Sequence, residues 1–188
     1  FGLITTDGSL SKDKRHIEFT SSDFQLIKTF RDCLSLTNKI CKKSGSFTNR
    51  KSYRIQFGNV RLYRWLIKTG LTPNKTSRLG KMRIPKQYYK DFLRGHLDGD
   101  GSIVTYTDRY ASYKNKRYCY KRLYLTFYSS SLRHLEWIQK SINDLFKTKG
   151  SLRGWKNLNR KMTLWKLRFA KNDSLRILSW IYYKPDLP

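Results

Sequence analysis

Apolar and polar residues alternate from His16 to Thr20, with Ile17 and Phe19 set between His16, Glu18 and Thr20. A period of two puts the two sets on opposite faces of a half-buried strand. With Ser9 to Ser11 ahead and the polar Lys12-Asp13-Lys14-Arg15 between, the stretch predicts a hairpin. Ser22-Asp23 then offers a helix N-cap, followed by a helix carrying Phe24, Ile27, Phe30, Arg31 and Leu34. A short strand at Ile40 and Cys41, a turn at Ser44-Gly45-Ser46 and a second alternation come next. In that alternation Tyr53, Ile55 and Phe57 are set against Arg54 and Gln56. An amphipathic helix from Val60 to Thr69 closes at Gly70.

Residues 70–86 hold Pro73 and Pro85 and no strong period, which predicts a linker. Beyond it the order repeats. Residues 102–107 and 118–129 predict a longer hairpin, 132–146 a helix, 151–155 and 163–169 a second hairpin, and 174 to about 182 a last helix. The repeat is visible residue by residue. Glu18-Phe19-Thr20-Ser21-Ser22 aligns with Thr126-Phe127-Tyr128-Ser129-Ser130, Tyr53-Arg54-Ile55-Gln56-Phe57 with Trp165-Lys166-Leu167-Arg168-Phe169, and Trp65 with Trp180. Offsets between the copies grow along the chain, so the second copy holds insertions, the largest around Arg109 to Arg117. The chain divides into a first repeat at 1–69, a linker at 70–86 and a second repeat at 87–188.

Residues 91–102 are the stretch around which the chain is organised. Phe92, Leu93, His96 and Leu97 fall at helical spacing, and Gly95 and Gly99 lie four apart on another face, where a second helix can approach backbone to backbone. Asp100 falls in the last turn, facing the negative end of the helix dipole, at a cost of a few tenths to about 1 kcal/mol. Gly101 suits the left-handed conformation that lets a chain leave a helix. A surface turn is the plain alternative. A calcium loop fails, because counting from Asp98 the sixth and twelfth places hold Ile103 and Arg109, not Gly and Glu. The N-terminus decides against the turn. Phe1-Gly2-Leu3-Ile4-Thr5-Thr6-Asp7-Gly8-Ser9 aligns with Arg94-Gly95-His96-Leu97-Asp98-Gly99-Asp100-Gly101-Ser102.

Lys and Arg number 40 against 13 acidic residues, a net charge of +27. That balance, with a pI near 10.2 and aromatics among the basic residues, points to nucleic acid more than to a membrane surface or acidic protein. No apolar run approaches the ~20 residues of a membrane span, and no signal-peptide pattern is present, so the expectation is an intracellular, non-secreted protein. Cys33, Cys41 and Cys119, like His16, His96 and His134, lack metal-ligand spacing and read as packing or surface residues. The start inside a helix, without an initiator Met, suggests a trimmed or internal fragment.

Two copies of a helix ending in Asp-Gly-Ser on a strongly basic chain resemble the paired motifs of the LAGLIDADG homing endonucleases, of the single-chain type. In the first copy Thr5 stands where the motif has its earlier Asp. The resemblance implies an α+β fold of two pseudo-symmetric αββαββα repeats, each with a four-stranded antiparallel sheet, together forming a DNA-binding saddle. The resemblance also implies a first motif helix that begins before Phe1, so the expectation is a truncated first helix. It implies that Gly2, Thr6, Gly95 and Gly99 form the helix interface and that Asp7 and Asp100, followed by Gly8 and Gly101, hold divalent metal. The cation would be Mg²⁺, with Mn²⁺ as a substitute and Ca²⁺ supporting binding without cleavage. Lys75 resembles the lysine that arranges water, with Lys184 as its counterpart. Ser21 and Ser129 stand where relatives often carry a longer polar residue. The implied activity is monomeric double-strand cleavage of a long asymmetric site with 3′ overhangs, serving intron or intein mobility.

On the polar sheet faces, Lys14, Arg15, His16, Glu18, Arg54, Gln56, Arg122, Tyr124, Lys166 and Arg168 are candidates to contact DNA. Two-stranded ribbons fit the major groove, where Arg and Lys read guanine, Gln adenine, and Glu can accept from cytosine. The alternative is a binding protein on the same scaffold, an intron maturase gripping RNA or a DNA-binding regulator. Retention of both Asp7 and Asp100 favours the enzyme, since binding alone does not need carboxylates beside phosphates.

Overall fold

The computed structural model describes residues 1–44, 51–110, 119–156 and 162–183. The predicted turn at Gly45-Ser46, the distal part of the insertion and Lys184 lie outside the described residues. The first repeat runs α1 (Gly2–Asp7), β1 (Gly8–Leu10), β2 (His16–Ser21), α2 (Phe24–Cys33), β3 (Cys41–Ser44), β4 (Lys51–Gly58) and α3 (Val60–Thr69). The second runs α4 (Tyr89–Asp100), β5 (Gly101–Asp108), β6 (Tyr120–Ser129), α5 (Leu132–Phe146), β7 (Ser151–Trp155), β8 (Leu164–Phe169) and α6 (Lys171–Ile181). Two antiparallel sheets result, ordered β1-β2-β4-β3 and β5-β6-β8-β7. The fold is α+β, built twice over.

The alternation read from the sequence fixes the register. Ile17 pairs with Phe57 and Phe19 with Ile55 in the first sheet; Leu125 pairs with Phe169 and Phe127 with Leu167 in the second. All eight are buried under the helices, as a one-sided antiparallel sheet requires. Asp23 caps α2, its carboxylate accepting from the Gln25 and Leu26 amides, and Gly70 closes α3 in the left-handed conformation at φ 107°. The short strand starts at Cys41, not Ile40. The last helix starts at Lys171, three residues before the Ser174 expected from its pattern. Ser174, a residue type suited to a cap, lies inside the first turn, where its hydroxyl accepts from the Leu125 amide and donates to the Phe169 carbonyl.

The connection between the repeats is packed. Leu71, Leu79 and Met82 are buried in the first core, and Lys75–Ser77 forms a short 3-10 turn. No helix among the described residues is long and apolar enough to cross a membrane.

Candidate functional site

Helices α1 and α4 cross at the join of the two repeats, and glycine sets how close they come. A Cβ on Gly2 would lie 2.3 Å from the Phe92 carbonyl oxygen and 2.6 Å from the His96 amide nitrogen. One on Gly95 would lie 3.1 Å from the Leu3 nitrogen, and one on Gly99 2.0 Å from Thr6 Oγ1. The four positions expected at the interface therefore meet there. Thr6 serves as a small residue because its hydroxyl turns back to donate to the Leu3 carbonyl at 2.9 Å.

Each helix ends at its aspartate and the chain passes directly into a strand. Neither exit is left-handed. Gly8 has φ −83° and ψ 156°, and Gly101 φ −114° and ψ 175°. The expectation for Gly101 was wrong in its reason: extended backbone suits any residue, and the need for glycine is steric. As the chain doubles back, a Cβ on Gly101 would lie 2.4 Å from the Leu97 carbonyl oxygen, and one on Gly8 2.5 Å from that of Ile4.

The crossing brings the Asp7 and Asp100 carboxylates into electrostatic contact. Burial pushes Asp7 up to about 6, the Asp100 charge adds to the rise, and the Lys75 ammonium opposes it. Asp100 is raised by burial, again against Lys75. Lys75 arrives from the linker and donates from Nζ to the Thr6 carbonyl at 2.5 Å. Burial lowers its pKa, while Asp100 and Asp7 hold it up. Residues 7, 75 and 100, far apart in sequence, thus form one site.

Neither a protein-family model nor a curated protein sequence matches the chain. Solved structures do. Full-length DUF199/WhiA from Thermatoga maritima is 19% identical with a TM-score of 0.59, over 99% of this chain and 54% of that one. The K262A mutant of I-SmaMI is 12% identical with a TM-score of 0.62, over 97% and 82%. The LAGLIDADG homing endonuclease I-LtrWI, bound to target DNA, is 12% identical with a TM-score of 0.58, over 99% and 82%. I-SmaMI is also similar in a form bound to uncleaved DNA in the presence of calcium ions. This chain has the LAGLIDADG fold. It spans about half of full-length DUF199/WhiA.

In this LAGLIDADG fold the uncovered sheet faces carry most of the residues expected to meet DNA. Register places Arg54 beside Thr20 and Gln56 beside Glu18 in the first sheet. In the second it places Arg168 beside Thr126 and Lys166 beside Tyr128, with Arg122 and Tyr124 further along β6. Lys14 and Arg15 lie in the β1–β2 turn, with Lys14 at φ 60°. Several of these side chains are already oriented by neighbours. Arg168 stacks 3.5 Å over the Tyr124 ring, and Arg122 pairs with Asp108 at 2.9 Å. Glu18 holds Lys43 at 3.0 Å and Arg54 at 3.6 Å, and accepts from Thr20, so its first role is to fix the basic residues around it. His16 Nδ1 is engaged by Asp13.

Three features escaped the sequence reading. Tyr106 lies opposite Arg122 on the open face, which the alternation of β5 already implied. Asp98, the motif's earlier aspartate, accepts from the Tyr182 hydroxyl and faces Arg94, so it ties α4 to the end of α6. His96 and His134 stack with centroids 5.2 Å apart beneath the site, and no local pattern signals that meeting.

Among the described residues no three His, Cys, Asp or Glu side chains group to hold a metal. The donor set at the LAGLIDADG crossing is two carboxylates. Hard cations such as Mg²⁺ are commonly held by one or two carboxylates, with water and substrate phosphate completing the shell. Two part-buried carboxylates raised by burial, with Lys75 as the nearby cation, fit such a group.

Proposed function

We propose that this protein is a metal-dependent, site-specific double-strand DNA endonuclease acting as a monomer. The observation that carries the reading is the placement of Asp7 and Asp100 at the crossing of α1 and α4, between two sheets whose open faces carry basic residues. Asp7 and Asp100 would hold Mg²⁺, with Mn²⁺ as a substitute and Ca²⁺ supporting binding alone. When bound, such cations polarise a scissile phosphate and activate water. The chain's own groups do the rest. The carboxylates supply hard oxygen donors where burial raises the need for a counter-charge. Lys75 carries three donors, of which the Thr6 carbonyl takes one, and the others can serve a water or a phosphate oxygen. Arg54, Gln56, Arg122, Tyr124, Lys166 and Arg168 present the faces that fit the major groove, and Lys14, Arg15 and His16 extend the first. One carboxylate for each strand would give a double-strand break, and the LAGLIDADG resemblance implies 3′ overhangs.

A second reading, binding without cleavage, draws on the likeness to DUF199/WhiA, whose N-terminal domain is described as a LAGLIDADG domain. Structured RNA is the target under the maturase form of that reading. Asp7→Asn and Asp100→Asn separate the readings, since each keeps side-chain volume and removes charge. A target is first selected from a randomised duplex library with Mg²⁺, by sequencing cut ends and bound molecules. Each variant is expected to lose double-strand cleavage while binding that target in Ca²⁺ as well as the parent does. Nicking of one strand by each variant indicates independent centres, and loss on both strands a shared metal. Wild-type binding without cut ends, or full cleavage by either variant, overturns the endonuclease assignment of these carboxylates.

A further inference from the structure

The pseudo-symmetry of the two repeats fails at a few buried positions, and two of them face the linker. Asp23 aligns with Ser131, and Leu26 with His134, at the offset that aligns Phe19 with Phe127. Asp23 caps its own helix. Ser131 occupies the same N-cap position of α5 and makes no side-chain cap. Its hydroxyl donates instead to the carbonyl of Leu79 in the linker. Forgoing a cap costs the helix roughly 1 kcal/mol, so the bond made in its place has a use. One turn further, His134 Nδ1–H donates to the Gly80 carbonyl at 2.9 Å. A carbonyl can only accept, which fixes the proton on Nδ1 and leaves Nε2 bare and buried, with no hydrogen-bond partner among the described residues.

The same imidazole stacks on His96, which lies one turn before Asp100 on α4 and aligns with Leu3 of α1. Both rings are almost fully buried. Desolvation holds His134 down to about 4 and His96 well below its ordinary value, and the Lys75 charge, within electrostatic reach of both, adds to this. Two neutral rings can stack in a dry core; two cations cannot. The first repeat has leucines at both places, Leu26 and Leu3.

We propose that Ser131 and His134 are positioning residues that clamp the linker at Leu79 and Gly80, and so hold Lys75 against Thr6 beside the carboxylate pair. Its consequence for catalysis rests on the endonuclease reading; the clamp itself does not. Residues 75 and 79 are already joined through the Leu79 amide, which donates to the Lys75 carbonyl at 2.9 Å. A shift at the clamped carbonyls is thereby carried into the turn that bears Lys75. His96, stacked on the clamp, references it to the helix that carries Asp100.

The test uses the full chain with Ser131→Ala, His134→Leu and His134→Asn. Asparagine restores an N–H donor toward Gly80; leucine does not. Lysine acylation by acetyl-N-hydroxysuccinimide, mapped by mass spectrometry, reads the position of Lys75 without any need for cleavage. In the parent and in His134→Asn, Lys75 should react slowly. In Ser131→Ala and His134→Leu it should react roughly 10-fold faster or more, with Lys28 and Lys140 unchanged. Where the parent cleaves, these two should lose roughly 10²-fold in rate, the scale set by ångström misplacement in a site, with Ca²⁺-supported DNA binding intact. The loss should vanish in a Lys75→Met background. Unchanged Lys75 reactivity in both clamp variants overturns the proposal, as does equal acceleration at every lysine, which reports unfolding. Faster Lys75 acylation in a parent that never cuts DNA upholds the clamp and removes the endonuclease reading alone.

Discussion

Asp7 is the residue at which burial and charge conflict most openly, and the conflict has a sign that can be measured. Its pKa is raised to about 6, through desolvation first and Asp100 second, against the attraction of Lys75. Between about pH 4 and pH 6 the folded protein therefore holds a proton that the unfolded chain has released. The stability contributed by protonated Asp7 is present below that window and is lost as pH rises through it. Asp7→Asn should remove that loss, raising stability at pH 7.5 by about 1 kcal/mol after allowance for solvent screening, and flattening the profile from pH 4 to 6. Thermal melts across pH check this. Ca²⁺ should raise the melting temperature of the parent more than that of the variant, since a cation that binds only the folded state stabilises by mass action. Asp7 and Asp100 were legible in the sequence because each breaks a local rule, a carboxylate at the wrong end of a helix. His96 and His134 were not. A histidine on an apolar face reads the same whether it packs alone or meets another ring 38 residues away. The ion pairs of Glu18 are invisible in the sequence, because its partners Lys43 and Arg54 lie on other strands.

At the scale of elements, glycine tests whether the crossing of α1 and α4 rests on backbone proximity. Gly2→Ala pushes a methyl into the Phe92 carbonyl and the His96 amide, neither of which can rotate away. Overpacking of this kind costs about 1–3 kcal/mol, and contact with backbone belongs at the upper end. Gly80→Ala is the control. Its Cβ meets nothing within 4 Å, and its φ lies outside the left-handed region, so it should be neutral or stabilising by a few tenths of a kcal/mol. Urea unfolding of the two variants should separate them by at least about 2 kcal/mol. Similar values would mean that the helices meet through flexible side chains. Element order, both sheets and the helix crossing were legible because a repeat supplies the evidence twice: a weak alternation at residues 16–20 is confirmed by the same alternation in the second copy. Gly101 shows the limit of that reading. The sequence identifies a required glycine, but only the path of the chain after it distinguishes a steric need from a conformational one.

For the molecule as a whole, the two halves are unequal where they would meet DNA. Strands β1 and β2 pair from Gly8↔Phe19 to Leu10↔Ile17, three pairs, whereas β5 and β6 pair from Gly101↔Phe127 to Asp108↔Tyr120, eight pairs. The growth in repeat offset announced this insertion, though not its form. Five further pairs at about 3.4 Å each carry the second ribbon roughly 17 Å beyond its counterpart, the rise of about five base pairs. The overhang, Val104 to Asp108, is exposed on both faces, with Val104 at 46% and Tyr106 at 48% on one and the exposed Thr105 and Thr107 on the other, above a cleft of about 460 Å³ that reaches Lys171 and Leu175 of α6. Exposed apolar and aromatic surface on one face, with small polar residues on the other, suits a ribbon that is inserted between groove walls, and the apolar face is poorly placed in water. The target should then be lopsided about the carboxylate pair. Hydroxyl-radical footprinting in Ca²⁺ should protect roughly two helical turns, reaching about five base pairs further from the cut position on the side of the second repeat. Affinity should fall with salt at a log–log slope of about −0.9 for each phosphate neutralised. Cys119, exposed at the end of the described ribbon beside Tyr120, provides a direct marker. An iron chelate attached there, with Cys33→Ser and Cys41→Ser, should cut only at the far edge of the longer half. Equal protection on both sides, or chelate cuts near the central base pairs, would show that the ribbon does not follow the groove.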